Sequence, residues 1–367
     1  MHLSTPRFVL TGLLALGLLA CKKHDDTTPA PAPLPSPLTF TVTTLAGGPQ
    51  SGYANGTGAA AQFNDVVDLA LDQQGNVYVT DATNNRIRKI TPAGVVSNFA
   101  GSGVPGLLNG PGNVAQFTNP TSIAVDAQGL VYVADDNSLI RVINPDGVVS
   151  TFAGMAGRGL QDGPLATAKF SSPTDLVFDQ QGNLYIAEAV NNRIRKISPQ
   201  GIVSTVAGGA VGVVTPYGYA DGPANSAKFA VPVGLAVDKQ GNIYVADVNN
   251  NRIRKVSPTG MVSTVAGTGD SDFADGKGTQ AKFSYPAGIT VDNDGTLYVS
   301  DYGNGCIRRI GIDGQVSVAA GYNKSFGNAD GIGSIAQFIG PQGIVISSSG
   351  KELYISDYTR IRKAVGQ

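Results

Sequence analysis

The sequence predicts an all-β fold: a six-bladed β-propeller whose ring is closed by an N-terminal strand that completes the last blade. Three observations carry this. A segment recurs six times, anchored on Phe63, Phe117, Phe170, Phe229, Phe283 and Phe338 at intervals of 54, 53, 59, 54 and 55 residues. The clearest copy contains four short strand-like runs separated by turns. The sixth copy ends after its third run, while a run matching the missing fourth stands before the first copy.

Composition agrees with many short strands joined by tight turns. The 367 residues include 48 glycines, only 14% are charged, and valine, isoleucine and threonine are plentiful. A net charge of -1 provides no basic field to hold a phosphate backbone, so nucleic acid is not expected as a partner.

From the N-terminus, MHLSTPRFVLTGLLALGLLAC carries Arg7, an apolar run from Phe8 to Ala20, and Cys21. An apolar run of about a dozen residues is too short for a membrane span of ~20 and has the form of an export signal, so residues 1–20 read as a signal peptide. Leu18, Leu19, Ala20 and Cys21 resemble a bacterial lipobox, which implies that Cys21 becomes the acylated first residue of the mature protein. The following Lys22, Lys23, His24, Asp25 and Asp26 are similar to the charged surface-export tags of Bacteroidetes lipoproteins. Residues 21–39 then read as the lipidated cysteine and a tether, with prolines at 29, 31, 33, 35 and 37 making an extended spacer. The expected location is the outer membrane, on its periplasmic or surface face, with the lipid anchor as the only membrane contact. Cys306 is the one other cysteine, so no intramolecular disulfide is available once Cys21 is acylated.

Residues 40–367 are assigned to the propeller. Copy four gives strand-like runs at Gly234 to Asp238, Asn242 to Asp247, Arg252 to Ser257 and Met261 to Ala266. Lys239-Gln240-Gly241 and Pro258-Thr259-Gly260 supply tight turns with glycine available for positive φ, so neighbours run antiparallel. The run VTTLAG, Val42 to Gly47, matches VSNFAG, VSTFAG, VSTVAG and VSVAAG from the other copies and is expected to close blade six, removing two free sheet edges.

The segments GNVYVTDATNNRIRKI, GNLYIAEAVNNRIRKI and GNIYVADVNNNRIRKV closely resemble the NHL repeat, and the likeness extends from Val42 to Lys363. Blade two departs at Asn137-Ser138-Leu139, blade five at Cys306, and blade six at Ser347, where the other blades have aspartate. The resemblance implies either a binding propeller or one of two enzyme types. These are a peptide-amidating lyase, with zinc held by histidines, and a gluconolactonase-like enzyme, with a cation in the channel. His2 and His24 are the only histidines and precede the propeller, so no histidine zinc site or His-dependent general base can form in it.

Residues that recur in every blade are expected to build the blade. On that ground Arg88, Arg141, Arg195, Arg254, Arg308 and Arg362 should pair with Asp81, Asp135, Glu188, Asp247, Asp301 and Asp357. The Asp or Asn of the repeated [Asn/Asp]-Gly loop is expected to cap its own turn. Function is sought in residues that break the symmetry on the face bearing the long inter-blade connections. Seven of the thirteen tyrosines fall there. Tyr53 and Tyr219 share a loop position with Leu107, Leu160 and Phe273 and read as loop plugs. Tyr217, Tyr285, Tyr302, Tyr322 and Tyr358 remain as the candidate binding surface. The longest connection, Gly208 to Phe229, carries an extra GAVGVVTPYGY. Asp68 and Asp175 stand where Gly234, Gly288 and Gly343 stand in other blades, and are expected to face the channel, where oxygen ligands would suit Ca2+. Cys306 reads as a small packed residue. No other cofactor is expected. The reading is a monomeric, non-enzymatic envelope propeller that binds a protein, peptide or glycan; the alternative is a cation-dependent, gluconolactonase-like hydrolase or lyase acting in the channel.

Overall fold

The computed structural model describes residues 39–210 and 217–367; the segment read as a signal peptide, Cys21, the stretch read as a tether up to residue 38 and the middle of the connection after Gly208 lie outside the described residues. Six antiparallel sheets form the ring. Their first strands, Val66–Leu71, Pro120–Val125, Pro173–Phe178, Pro232–Val237, Pro286–Val291 and Pro341–Ile346, surround the axis, each touching the first strands of both neighbours.

Blade four follows the expected plan, with strands Pro232–Val237, Ile243–Asp247, Arg252–Val256 and Met261–Ala266. Gly241 and Gly260 both adopt φ +78° in the two tight turns, a left-handed conformation that glycine enters without a Cβ clash. One feature exceeds the expectation. A two-residue fifth strand from the inter-blade connection lies outside the fourth strand in five blades, as when Gly222–Pro223 pairs with Val262 and Met261. Blade two has four strands and a single bridge from Gly110 to Val149.

Ring closure is as expected. Phe40–Gly47 runs antiparallel to Arg360–Gly366, from Phe40 opposite Gly366 to Gly47 opposite Arg360. Gly331–Ile332 covers its outer edge at Thr41 and Val42. Phe40 and Val42 are fully buried, and Phe40 meets Tyr298 edge-on at 5.5 Å. The closing strand is therefore part of the core rather than a loose cover.

The core between blades is built around a buried cation. Each repeat arginine is fully buried and lies over a repeat phenylalanine, with its guanidinium carbon 5.1–5.4 Å from the ring centre. Arg254 shows the full set: Nη1 donates to Asp247 at 2.7 Å and to the Lys228 carbonyl at 3.0 Å, and Nη2 to the Ala220 carbonyl at 2.8 Å and to Asp221 at 2.5 Å. A charge removed from water needs such pairing.

Asp221 belongs to the [Asn/Asp]-Gly loop, and here the structure corrects the sequence reading: rather than capping its own turn, it reaches the blade's arginine and also accepts the Thr264 N–H at 3.1 Å. Asp162, Asp275 and Asp330 do likewise toward Arg195, Arg308 and Arg362, and Asn55 and Asn109 serve Arg88 and Arg141. Blade two is the loosest version. Its Arg141–Asp135 pair opens to 3.8 Å, and burial pushes Asp135 up to about 6 against the pull of Arg141.

Two outcomes follow from this packing. Deleting Thr41 to Gly47 exposes the Arg360–Gly366 edge and should replace a single cooperative melt of a monodisperse protein by a lowered, broadened melt with self-association in light scattering. Arg254→Ala leaves the Asp247 charge buried without its partner and should cost about 3–5 kcal/mol in denaturant unfolding.

Candidate functional site

The loop between the second and third strands determines how one face is shaped. In blade four, Asp247 accepts the Ala230 N–H at 2.7 Å, and Asn250 donates to Asp247 at 2.8 Å and to the Gly218 carbonyl at 2.8 Å. Asn251, left-handed at φ +48°, crosses to the next blade, where its Oδ1 accepts the Tyr285 N–H at 3.0 Å. Asn85 and Asn192 make the same crossing to Asn119 and Val231 at 2.8 and 2.9 Å. The repeated Asn-Asn is thus a clamp within the blade followed by a strap to its neighbour.

The strap holds Asn119, Val231 and Tyr285, which precede the first strands of blades two, four and five at the loop-side end of the channel; Asp65 and Ser172 stand at the same place in blades one and three. Asp65, Asn119, Ser172, Val231 and Tyr285 there all have φ between 44° and 62°. Asp and Asn suit that backbone through local hydrogen bonding; β-branched Val231 and bulky Tyr285 do not, so the turn geometry common to the blades, and not side-chain preference, sets the backbone there.

Topology puts all five candidate tyrosines on this face, with exposures of 76% for Tyr217, 50% for Tyr285, 45% for Tyr302, 59% for Tyr322 and 43% for Tyr358. Tyr285, Tyr302 and Tyr358 occupy the inner rim of blades five and six. Tyr322 lies on the connection between those blades, and Tyr217 stands apart on the connection into blade four. Tyr302 lies against Gly340, where a β-carbon would come 3.0 Å from its Cε2. Tyr358 has φ +59°. Ala82, Asp136, Ala189 and Val248 follow the repeat acid in blades one to four, where Tyr302 and Tyr358 follow it in blades five and six. Two exposed residues that the sequence reading passed over, Phe326 and Ile339, enlarge the apolar side of the rim. Tyr53 and Tyr219 instead stack on Arg86 at 4.1 Å and on Arg252 at 3.9 Å, which fits their reading as loop plugs.

The channel is the second place of interest. It holds a cavity of about 320 Å³ open toward the short turns, and a space of about 40 Å³ on the loop side. Asp68, Asp175, Gly288 and Gly343 border both, so the pinch between them lies at this level. Here blades one, two and three carry Asp68, Ser122 and Asp175, and blades four, five and six carry Gly234, Gly288 and Gly343. A β-carbon on Gly234 would lie 2.2 Å from the Ala287 carbonyl oxygen, and one on Gly288 2.3 Å from that of Gln342. Backbones close one half of the ring, and side chains close the other. Ser122 was not singled out from the sequence, although the same column of the repeat contains it.

Asp68 accepts the Ser122 hydroxyl at 2.7 Å and the N–H groups of Ile123 at 3.0 Å and Leu69 at 2.8 Å. Asp175 accepts the N–H groups of Leu176 at 2.7 Å and Leu235 at 2.5 Å, and its Oδ1 lies 3.0 Å from the Ser122 hydroxyl oxygen. Burial pushes Asp68 up to about 6; burial and then the Asp68 charge raise Asp175 well above the carboxylate range. Ca2+ takes six to eight oxygens. All four carboxylate oxygens already accept hydrogen bonds, and among the described residues no group of three or more His, Cys, Asp or Glu side chains is placed to hold an ion. The donor set does not fit a resident divalent cation. Cys306 is buried, and burial pushes its thiol up, away from nucleophilic use.

Residues 63–90 match the NHL repeat, and residues 106–321 match the SMP-30/Gluconolactonase/LRE-like region. Among curated proteins the chain is 29% identical over 290 residues to Protein SUPPRESSOR OF QUENCHING 1, chloroplastic, of Arabidopsis thaliana, covering 72% of this chain and 26% of that one. It is 27% identical to human NHL repeat-containing protein 2, covering 73% of this chain and 42% of that one. The chain thus spans less than half the length of these relatives.

Among solved structures, a protein of unknown function from Bacteroides thetaiotaomicron superposes with TM-score 0.67 at 21% identity, covering 90% of this chain and 76% of that one. An auxiliary nutrient binding protein from the same organism gives 0.64 at 16%, covering 90% and 77%. A gluconolactonase from Xanthomonas campestris gives 0.60 at 14%, covering 90% and 95%. These likenesses agree with the propeller fold. With more than half of its length matched, this chain belongs to the SMP-30/Gluconolactonase/LRE-like family and is built from NHL-type repeats.

Proposed function

We propose that the protein is a non-enzymatic binding propeller that takes a protein, peptide or glycan on the loop face of blades four to six. The observation that carries this reading is the one-sided rim. Tyr285, Tyr302 and Tyr358 are exposed around the channel mouth, Tyr322, Phe326 and Ile339 are exposed beside them, and two of the tyrosines are held at positive φ. Tyrosine offers a flat apolar face with a hydroxyl at its tip and loses little rotamer freedom on contact, which suits recognition surfaces. The likeness to an auxiliary nutrient binding protein supports the same reading.

The chain would work from the cell envelope, exported through residues 1–20, acylated at Cys21 and held off the outer membrane by the proline-rich tether. The test of this location is metabolic labelling with a fatty acid: label should enter the intact chain and be lost in Cys21→Ser together with membrane association.

Family membership supports a second reading, a hydrolase or lyase acting in the channel. Against it stand the absence of histidine from residues 40–367 and the hydrogen-bonded state of Asp68 and Asp175. The two readings separate in one experiment, titration of the domain from Phe40 onward with glycan and peptide arrays beside a lactone-hydrolysis assay. Binding that weakens by on the order of 2 kcal/mol, roughly thirtyfold in Kd, in Tyr302→Ala or Tyr358→Ala supports the rim. Lactone turnover that survives both substitutions and disappears in Asp68→Asn would overturn it.

A further inference from the structure

The column expected to hold a cation is filled in another way. Ser122 has one hydroxyl proton and two lone pairs. Its oxygen lies 2.7 Å from Asp68 Oδ2, 3.0 Å from Asp175 Oδ1 and 3.0 Å from the Leu176 nitrogen. The Leu176 N–H takes one lone pair, and the single hydroxyl proton can serve only one carboxyl group. Both carboxyl contacts are hydrogen bonds only when one acid brings a proton of its own.

The complete arrangement has Asp175 Oδ1–H donating to Ser122 Oγ and Ser122 Oγ–H donating to Asp68 Oδ2. The pair then bears one negative charge. That charge meets the N–H groups of Leu69 and Ile123, while Leu235 donates to the carbonyl oxygen of the neutral acid and the Leu176 N–H is shared between Ser122 Oγ and Asp175 Oδ1.

Four blades meet through this chain. Asp68 of blade one holds Ser122 and Ile123 of blade two, Asp175 of blade three holds Ser122, and Asp175 also holds Leu235 of blade four. We propose that Asp68, Ser122 and Asp175 form a proton-sharing seam that locks the inner ends of blades one to four and excludes divalent cations from the channel pinch. Both acids keep a little surface toward the channel, so the shared proton can exchange with solvent from the open side.

The pinch isolates the pair. At this level blades two, four, five and six present Ser122, Gly234, Gly288 and Gly343, none of them titratable. On the strand of Asp68, Asp65 is bonded to Gln342; on the adjacent strand, Thr80 receives the Asp68 N–H, and Asp81 is paired with Arg88. On the strand paired with that of Asp175, Glu188 is paired with Arg195, and among the described residues no Lys or Arg forms an ion pair with either carboxyl group to favour its ionisation.

The sign of the pH effect follows. An acid raised in the fold contributes stability that is full below its ordinary value near 3.8 and is lost as pH rises through its folded value. For Asp68 that window runs from 3.8 to about 6, and for Asp175 the loss continues above it.

The experiment is thermal unfolding of the wild-type domain, Asp175→Asn, Asp68→Asn and Ser122→Ala from acid to mildly alkaline pH, with and without millimolar CaCl2. The Asn side chain keeps an oxygen for the backbone donors and carries permanent N–H groups in place of the shared proton. Asp175→Asn should therefore gain on the wild type as pH rises above 6, and calcium should move no melting temperature. An infrared difference spectrum, wild type minus Asp175→Asn at neutral pH, should contain a protonated-carboxyl band. Should Asp175→Asn not fold, Asp175→Gly, the residue type of blades four to six, replaces it in both measurements. A wild-type melting temperature raised by calcium and unmoved in the variant overturns the proposal in favour of a cation site, as does the absence of the carboxyl band; parallel pH curves remove the shared proton altogether.

Discussion

The constraint on which the rest of the molecule depends is the burial of one arginine per blade. A guanidinium shut away from water must find partners for its donors, and each of the six finds them in the same places: a strand-two acid, carbonyls of the preceding connection, and an Asp or Asn of that connection. The long loops are therefore pinned to the blade by charge-assisted bonds and enter the rim at fixed angles. This is why a face made of long connections can present side chains in repeatable positions.

The strap from the second Asn of the strand-two-to-three loop extends this order around the ring. Because Asn251 holds the Tyr285 N–H, the rim residue of one blade is positioned by the blade before it. Symmetry then makes departures legible. Blades one to three offer small or polar residues at the mouth, whereas blades five and six offer tyrosines. At the inner pinch the asymmetry runs the other way, with side chains on the first three blades and bare backbone on the last three. The two surfaces that could act on a ligand therefore occupy opposite halves of the same ring.

Much of this was readable from the chain. The Phe63-to-Phe338 period, the unfinished sixth copy and the matching run at Val42 led to the ring and its closure, because identical local segments must adopt identical local structure. The fifth strands were not readable. Two residues such as Gly222–Pro223 carry no periodicity, and only the three-dimensional course of the connection lays them beside strand four. Asp221 was misassigned for a related reason: its short side chain matches a self-capping turn in sequence, while its actual partner, Arg254, lies 33 residues away. Asp68 and Asp175 could be placed at the channel by aligning columns. Ser122 stands in the same column and could be placed there too; that its hydroxyl bridges both acids could not be read, since a column fixes the level of a side chain and not its hydrogen bonds.

The proposed recognition surface is the tyrosine half of the loop face. The most direct measurement is a hydroxyl-radical footprint of the whole domain, taken free and then saturated with whatever array component binds. The account predicts protection at Tyr285, Tyr302, Tyr322, Phe326 and Tyr358. Protection instead at Leu71, Phe178 and Ile346, around the open end of the channel, would contradict it and move the site to the opposite face.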